Sequence, residues 1–199
     1  NLLTSRLQAD IAAFWMDTRD QQVSQMSAGG LGRVTLNGGK SRSIGAEAMI
    51  RAFITDALET RVSYGYTHAK FRNADKTFVP FIPAHTLSVG ATRHWQPAGI
   101  HWIERLSFHA DYRGAGRIYW TEDNSVWQNF AGTLNTRLSV RHAYATGRSD
   151  GSRSTMDFSL YASNLLGTRY QTFYFVTMQR SFAQYSRPAE VGIELRYCF

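Results

Sequence analysis

About eight segments of this chain alternate apolar and polar side chains with a period of two, and the last of them runs to the C-terminal residue. In that last segment Val191, Ile193, Leu195, Tyr197 and Phe199 share one face, while Glu190, Gly192, Glu194, Arg196 and Cys198 share the other. Such a period belongs to a β-strand with two unlike faces. A strand packed on a soluble core can alternate in this way, but chain ends usually fray, and an exposed terminal Phe is an odd choice there.

The same pattern recurs upstream. In 155–166, Met156, Phe158, Leu160 and Ala162 oppose Asp157, Ser159, Tyr161 and Ser163. In 133–144, Leu134, Thr136, Leu138 and Val140 oppose Asn135, Arg137, Ser139 and Arg141. Segments at 104–113, 85–95 and 60–68 repeat it through Leu106 and Phe108, Leu87 and Val89, and Val62, Tyr64 and Tyr66. The longest, 43–54, sets Ile44, Ala46, Ala48, Ile50, Ala52 and Ile54 against Gly45, Glu47, Met49, Arg51 and Phe53. The first, 6–17, sets Leu7, Ala9, Ile11, Ala13 and Trp15 against Arg6, Gln8, Asp10 and Ala12. Each segment is close to the roughly 9–11 residues with which a tilted strand crosses a bilayer.

Two architectures fit. In a sandwich the apolar faces meet in a core and the polar faces are wet. In a membrane barrel the apolar faces meet lipid and the polar faces line a lumen. The connections separate the two. Residues 55–60 and 96–101 are short connections, 145–154 is intermediate, and 71–84, 114–129 and 167–187 are long. Short turns on one rim and long loops on the other are the arrangement of an outer-membrane barrel. Aromatic residues at segment ends, Trp95, Trp102, Tyr144, Tyr197 and Phe199, suit an interface girdle. The expectation is an all-β fold: an antiparallel transmembrane β-barrel portion of about eight meandering strands, with short periplasmic turns and long extracellular loops.

Composition narrows the function classes. No apolar run approaches the ~20 residues of a spanning helix. The 22 Lys and Arg give a formal net charge of +7, but they are spread along the chain. No basic run tracks a phosphate backbone, which argues against nucleic acid. One cysteine, Cys198, allows neither an internal disulfide nor a CxxC metal site. The chain starts on Asn and carries no signal peptide, and so reads as a mature product or a piece of something longer.

Four stretches resemble TonB-dependent outer-membrane receptors. "TLNGGKSRSIGAEAMIRAFITDALETRVSYGYTHAKF" resembles their middle-barrel segment, and "VPFIPAHTLSVGA" the Pro-rich return into the next strand. "SLYASNLLGTRYQTFYF" is similar to their Asn-Leu-Leu segment, and "RPAEVGIELRYCF" to their C-terminal strand with its final Phe. The resemblance implies a barrel of about 22 strands around a plug domain. Residues 1–199 would be its C-terminal segment, without the plug, the TonB-contacting box or the earlier strands. It further implies the outer membrane of a Gram-negative bacterium and energised uptake of a scarce nutrient, most often a ferric siderophore and sometimes haem, cobalamin or glycans. The implied partners are that nutrient, outer-membrane lipid, the plug and through it TonB, and the barrel-assembly machinery, which reads a terminal aromatic like Phe199. No cofactor is implied.

Candidate ligand contacts lie in two long loops. Arg117, Tyr119, Trp120, Glu122, Asn124 and Trp127 combine cation, aromatic and polar groups, which suits an aromatic or anionic ligand through cation–π and charge-assisted bonds. Tyr170 and Tyr174, with Arg180, form a second set. The same aromatics could instead anchor the rim. Inward-facing charges of both signs, among them Glu47, Arg51, Arg61, Arg105, Arg137, Arg141, Asp157 and Glu194, could hold a plug or pair within the wall. His109 and Asp111 share a face, but no Ser or Cys nucleophile stands in a recognisable setting, so no enzyme is expected. Asn164, Leu165, Leu166, Pro80 and Pro83 read as backbone chemistry. The alternatives are a complete eight-stranded barrel serving as anchor or adhesin, and a soluble β-sandwich.

Overall fold

A computed structural model describes residues 2–4, 6–26, 33–72, 77–145, 153–176 and 180–199. Every regular element among them is a strand. They are β1 (Leu2–Thr4), β2 (Leu7–Thr18), β3 (Gln22–Met26), β4 (Arg33–Asn37), β5 (Ser41–Thr55), β6 (Leu58–Phe71), β7 (His85–Trp95) and β8 (Arg105–Ala115). After these come β9 (Ile118–Tyr119), β10 (Trp127–Gln128), β11 (Ala131–Ala145), β12 (Arg153–Ser163), β13 (Gln171–Val176), β14 (Ser181–Tyr185) and β15 (Glu190–Cys198).

One sheet carries the fold, with strand order β1-β2-β5-β6-β7-β8-β11-β12-β15 and antiparallel pairing throughout. Its eight long strands are the eight alternating segments. The sheet is open, with β1 and β15 as its two ends, so a closed eight-stranded barrel is not favoured. The segment 145–154 expected as an intermediate connection lies largely outside the described residues.

Register explains why period two gives two unlike faces. Trp95, Leu106, Val140, Phe158 and Leu195 are successive cross-strand partners and make one continuous apolar row. Phe108, Leu138, Leu160 and Ile193 make a second, two positions along each strand. Between them, on the opposite face, runs the polar row His94, Ser107, Ser139, Ser159 and Glu194. A slip of one residue in any strand would break all three rows at once.

Among the described residues, the apolar face lies largely open. Ile11 is 84% exposed, Val191 70%, Ile193 69% and Leu195 66%. The buried apolar side chains Phe71 and Trp120 lie instead at one end of the sheet, where the long connections gather. Three hairpins also form there, β3–β4, β9–β10 and β13–β14; the last two fall in 114–129 and 167–187, where the sequence predicts loops. The reason is local: Gln171–Val176 and Arg33–Asn37 are rich in β-branched and aromatic residues, which favour strands.

The other end of the sheet has the short connections and an aromatic ladder. Trp102 packs edge-on to His142 at 6.5 Å, and His142 stacks on Tyr144 at 5.6 Å. Tyr144 stacks on Tyr197 at 6.4 Å, and Tyr197 on Phe199 at 6.0 Å. The Trp102 carbonyl meets His142 Nδ1 and ties the turn to β11. Trp95 lies nearby under the Arg93 guanidinium at 5.6 Å. Thus the terminal Phe199 completes a row of rings begun on another strand.

On the polar face large rings sit over glycines. A Cβ added at Gly45 would lie 2.3 Å from Phe14 Cζ and 2.3 Å from the Tyr66 carbonyl oxygen, a backbone atom that cannot rotate away. Gly45→Ala is therefore expected to cost about 1–3 kcal/mol, the usual range for overpacking. Gly90→Ala, where the new atom meets only a carbonyl at 3.8 Å, is the matched control. Urea midpoints of the purified protein check the difference, and equal midpoints would contradict it.

Candidate functional site

The long-connection end of the sheet is built from three segments that bind one another. The first is 77–84, the second 116–130 with hairpin β9–β10, and the third the described residues of 164–189 with hairpin β13–β14. Asn124, in left-handed backbone conformation at φ 59, clips the first to the second. Its Oδ1 accepts the Phe78 N–H at 2.6 Å, and its Nδ2 donates to the Phe78 carbonyl at 2.9 Å. Phe81 N–H donates to the Tyr119 carbonyl at 2.9 Å, and Ala84 N–H to the Arg117 carbonyl at 3.1 Å. Rings continue the join. Phe78 stacks on Tyr119 at 5.0 Å, and Phe81 packs edge-on to Trp120 at 5.5 Å.

The same Phe81 stacks on Phe173 at 6.0 Å and so reaches the third segment. Gln128 Oε1 accepts the Gln171 N–H. The neck of this segment is closed by Asn164, which is buried and also left-handed, at φ 48. Its Nδ2 donates to the carbonyls of Thr168 at 3.0 Å and Arg187 at 2.9 Å, while its Oδ1 accepts the Thr168 N–H at 3.0 Å. Asn and Gly tolerate left-handed backbone where β-branched residues do not. The Asn-Leu-Leu-Gly stretch is thus a corner, as the sequence suggests, with Gly167 at φ 63.

Between this corner, β11 and hairpin β13–β14 lies a cleft of about 710 Å³. Asn135 and Ser163 from the polar face, the phenol rings of Tyr170 and Tyr185, and the charged Arg187 and Glu190 line it. The Arg169 guanidinium stacks over the Tyr185 ring at 4.3 Å. Hydroxyls, amides, phenol rings and a cation therefore converge on one opening. This suits an oxygen-rich or anionic ligand with an apolar body.

The structure places the eight sequence-chosen residues differently. Tyr170 lines the cleft. Trp120 is buried under Phe81, and its Nε1–H has no acceptor among the described residues. Tyr119 is half-buried against Phe78, while Trp127, its partner across β9–β10, is 50% exposed. Arg117 is exposed and donates to Asn129 Oδ1 at 3.2 Å. Glu122 sits half-buried in the turn between β9 and β10, and Tyr174 half-buried on β13. Asn124 spends its amide on the backbone clip. Next to it, the Thr121 hydroxyl and then Ser125 hold the Asp123 carboxyl below the usual carboxylate range. Sequence reading takes 71–84 as a long connection with a Pro-rich return and gives it no part in the site, although the paired rings in "FVPFIPA" are the available signal for a segment that packs.

The polar face below the cleft is a lattice of ion pairs. Arg141 Nε meets Asp157 Oδ1 at 2.7 Å, Arg51 Nε meets Glu59 Oε1 at 2.7 Å, and both Arg137 and Arg196 reach Glu194. Asp111 is held by Arg113 Nε at 3.1 Å and Asn135 Nδ2 at 3.2 Å. Its 3.6 Å separation from His109 Nε2 is too long for a hydrogen bond. These pairs belong to the wall.

Loss of the Asn124 side chain tests the clip without adding backbone strain if glycine replaces it. Asn124→Gly is expected to raise hydrogen exchange across 77–84 by a factor set by about 1–3 kcal/mol, the cost of unpaired backbone groups. Unchanged exchange at Phe78 would contradict the clip.

Comparison with known proteins returns a consistent set. The family model described as TonB dependent receptor-like, beta-barrel matches residues 1–186. Among solved structures, the ferric yersiniabactin uptake receptor FyuA from Yersinia pestis superposes with TM-score 0.79 at 21% identity, covering 99% of this chain and 28% of that one. BauA, the ferric preacinetobactin receptor from Acinetobacter baumannii, gives TM-score 0.70 at 12% identity, covering 96% and 27%. The ferric citrate transporter FecA gives TM-score 0.70 at 17% identity, covering 96% and 29%. At these identities the likeness shows the fold, and the chain spans little more than a quarter of each solved receptor. No curated protein sequence matches.

Proposed function

The chain belongs to the TonB-dependent receptor β-barrel family, and on that footing we propose that it is the C-terminal part of an outer-membrane receptor for a scarce nutrient, with ferric siderophores as the leading class. The solved receptors that share its fold are by title receptors for ferric yersiniabactin and ferric preacinetobactin and a transporter of ferric citrate. Barrels of this family sit in the outer membrane of Gram-negative bacteria. In the parent protein the open sheet would continue through earlier strands to closure, with a plug in the lumen and TonB reached through that plug.

The observation that carries the proposal is the cleft at the long-connection end, where polar-face residues of β11 and β12 meet Tyr170, Tyr185 and Arg187. In the proposed orientation this end is extracellular and the polar face lines the lumen. Arg187 would take a carboxylate, catecholate or similar anionic edge of the ligand, and the Tyr rings would stack on its flat parts. On the wall below, Arg141 is paired with Asp157, and Arg137 and Arg196 with Glu194. The apolar face would meet lipid, the aromatic ladder would sit at the periplasmic interface, and Phe199 would be available to the barrel-assembly machinery.

Intrinsic fluorescence titration of the full-length parent with ferric catecholate, hydroxamate and carboxylate chelates tests this. One class is expected to bind, and Arg187→Gln with Tyr170→Ala to weaken it roughly tenfold or more, as loss of a charge-assisted bond implies. Binding of no ferric chelate, or equal affinity in the variant, would contradict the reading.

A further inference from the structure

We infer that the apolar face carries, at its long-connection edge, a site for the phosphorylated headgroup of an anionic lipid, formed by Arg42, Lys70 and Arg72. This rests on the reading of that face as lipid-facing. Cross-strand register sets Asp17, Arg42 and Lys70 side by side on β2, β5 and β6. They form the row next beyond Trp15, Ile44 and His68, at the margin of the exposed apolar band.

The row is charge-unbalanced in a specific way. Arg42 forks the Asp17 carboxylate, with Nε at 2.8 Å and Nη2 at 3.1 Å. The Trp15 indole N–H takes Asp17 Oδ2 at 3.0 Å, and the Arg42 guanidinium stacks over the Trp15 ring at 4.4 Å. Asp17 is thereby occupied. Arg72 Nη1 comes only to 3.8 Å from it, beyond hydrogen-bond reach, and its side chain is 52% exposed. Lys70 stands directly opposite Arg42, with its ammonium 4.4 Å over the Phe78 ring. Three cations therefore share one carboxylate among the described residues of the patch. Like charges facing each other across a ladder are destabilising.

An anion from outside the chain removes that penalty. The geometry points to a phosphate on a lipid. The cations border the exposed rings and aliphatics of Trp15, Ile44 and Tyr66, not a walled pocket. A ligand must then place its charge on Lys70 and Arg72 and its apolar part along the band below. Basic clusters at a membrane margin recognise anionic headgroups in this way, and the Arg and Lys stems can lie along acyl chains.

Native mass spectrometry of the detergent-purified parent receptor tests the site, with a bis-phosphorylated glycolipid, its dephosphorylated counterpart and inorganic phosphate as probes. The bis-phosphorylated lipid is expected to stay bound. Lys70→Gln with Arg72→Gln is expected to weaken it roughly 30-fold, from about 1 kcal/mol per surface cation. Lys70→Arg with Arg72→Lys, which keeps the charges, is expected to retain it, and so is Arg93→Gln at the opposite edge of the same face. Equal retention by the double Gln variant, or displacement of the lipid by inorganic phosphate, would overturn the site. Failure of either lipid to associate with any form of the protein would overturn the membrane reading beneath it.

Discussion

The whole structure depends on the strict alternation of side chains in a sheet whose one apolar face lies largely open among the described residues. Fully burying an Ile, Leu or Val contributes about 1.5–3 kcal/mol. Here Ile11, Val191, Ile193 and Leu195 stay largely exposed, so that contribution is unrealised within the chain itself. The ladder hydrogen bonds hold the strands together, but the apolar face needs a partner from outside. For a barrel of this family that partner is the bilayer. The same constraint fixes the register, because a slip of one residue in one strand would present Ser107 or Asp157 where Phe108 or Phe158 now stand.

The polar face solves a different problem. Like charges crowded on one face of a sheet are destabilising unless opposite charges stand among them. Arg141 pairs with Asp157, Arg51 with Glu59, and Arg137 and Arg196 share Glu194, so these side chains hold one another in place along the wall. Dry packing is confined to the long-connection end, where Phe78, Phe81, Tyr119, Trp120 and Phe173 join three connections into one body. Phe173 of that body also lines the cleft, so the packed rings form part of its wall.

The strands and their faces were legible in the sequence because period two is written directly in the side chains. Every alternating segment is a strand of the main sheet, and its faces fall as the pattern implies. The hairpins within the long connections were less legible. Arg33–Asn37 and Gln171–Val176 are short, and the Phe and Tyr rings of Gln171–Val176 resemble those of a binding loop as much as a strand. Composition also could not tell contact from support. Asn124 has the chemistry of a ligand contact, yet its amide holds the Phe78 backbone, a role set by a partner 46 positions away. Arg187 and Tyr185, which line the cleft, carry no local signature that separates them from other loop residues. The excess charge around Lys70 needs the register of three strands to be seen at all.

The central claim is that these 199 residues are the C-terminal share of a larger outer-membrane receptor. An immunoblot of separated inner and outer membranes from the source cells, with antibody raised against residues 1–199, tests it most directly. The account predicts a band in the outer membrane several times heavier than 22.5 kDa. A band near 22.5 kDa, or one confined to the soluble fraction, would contradict it.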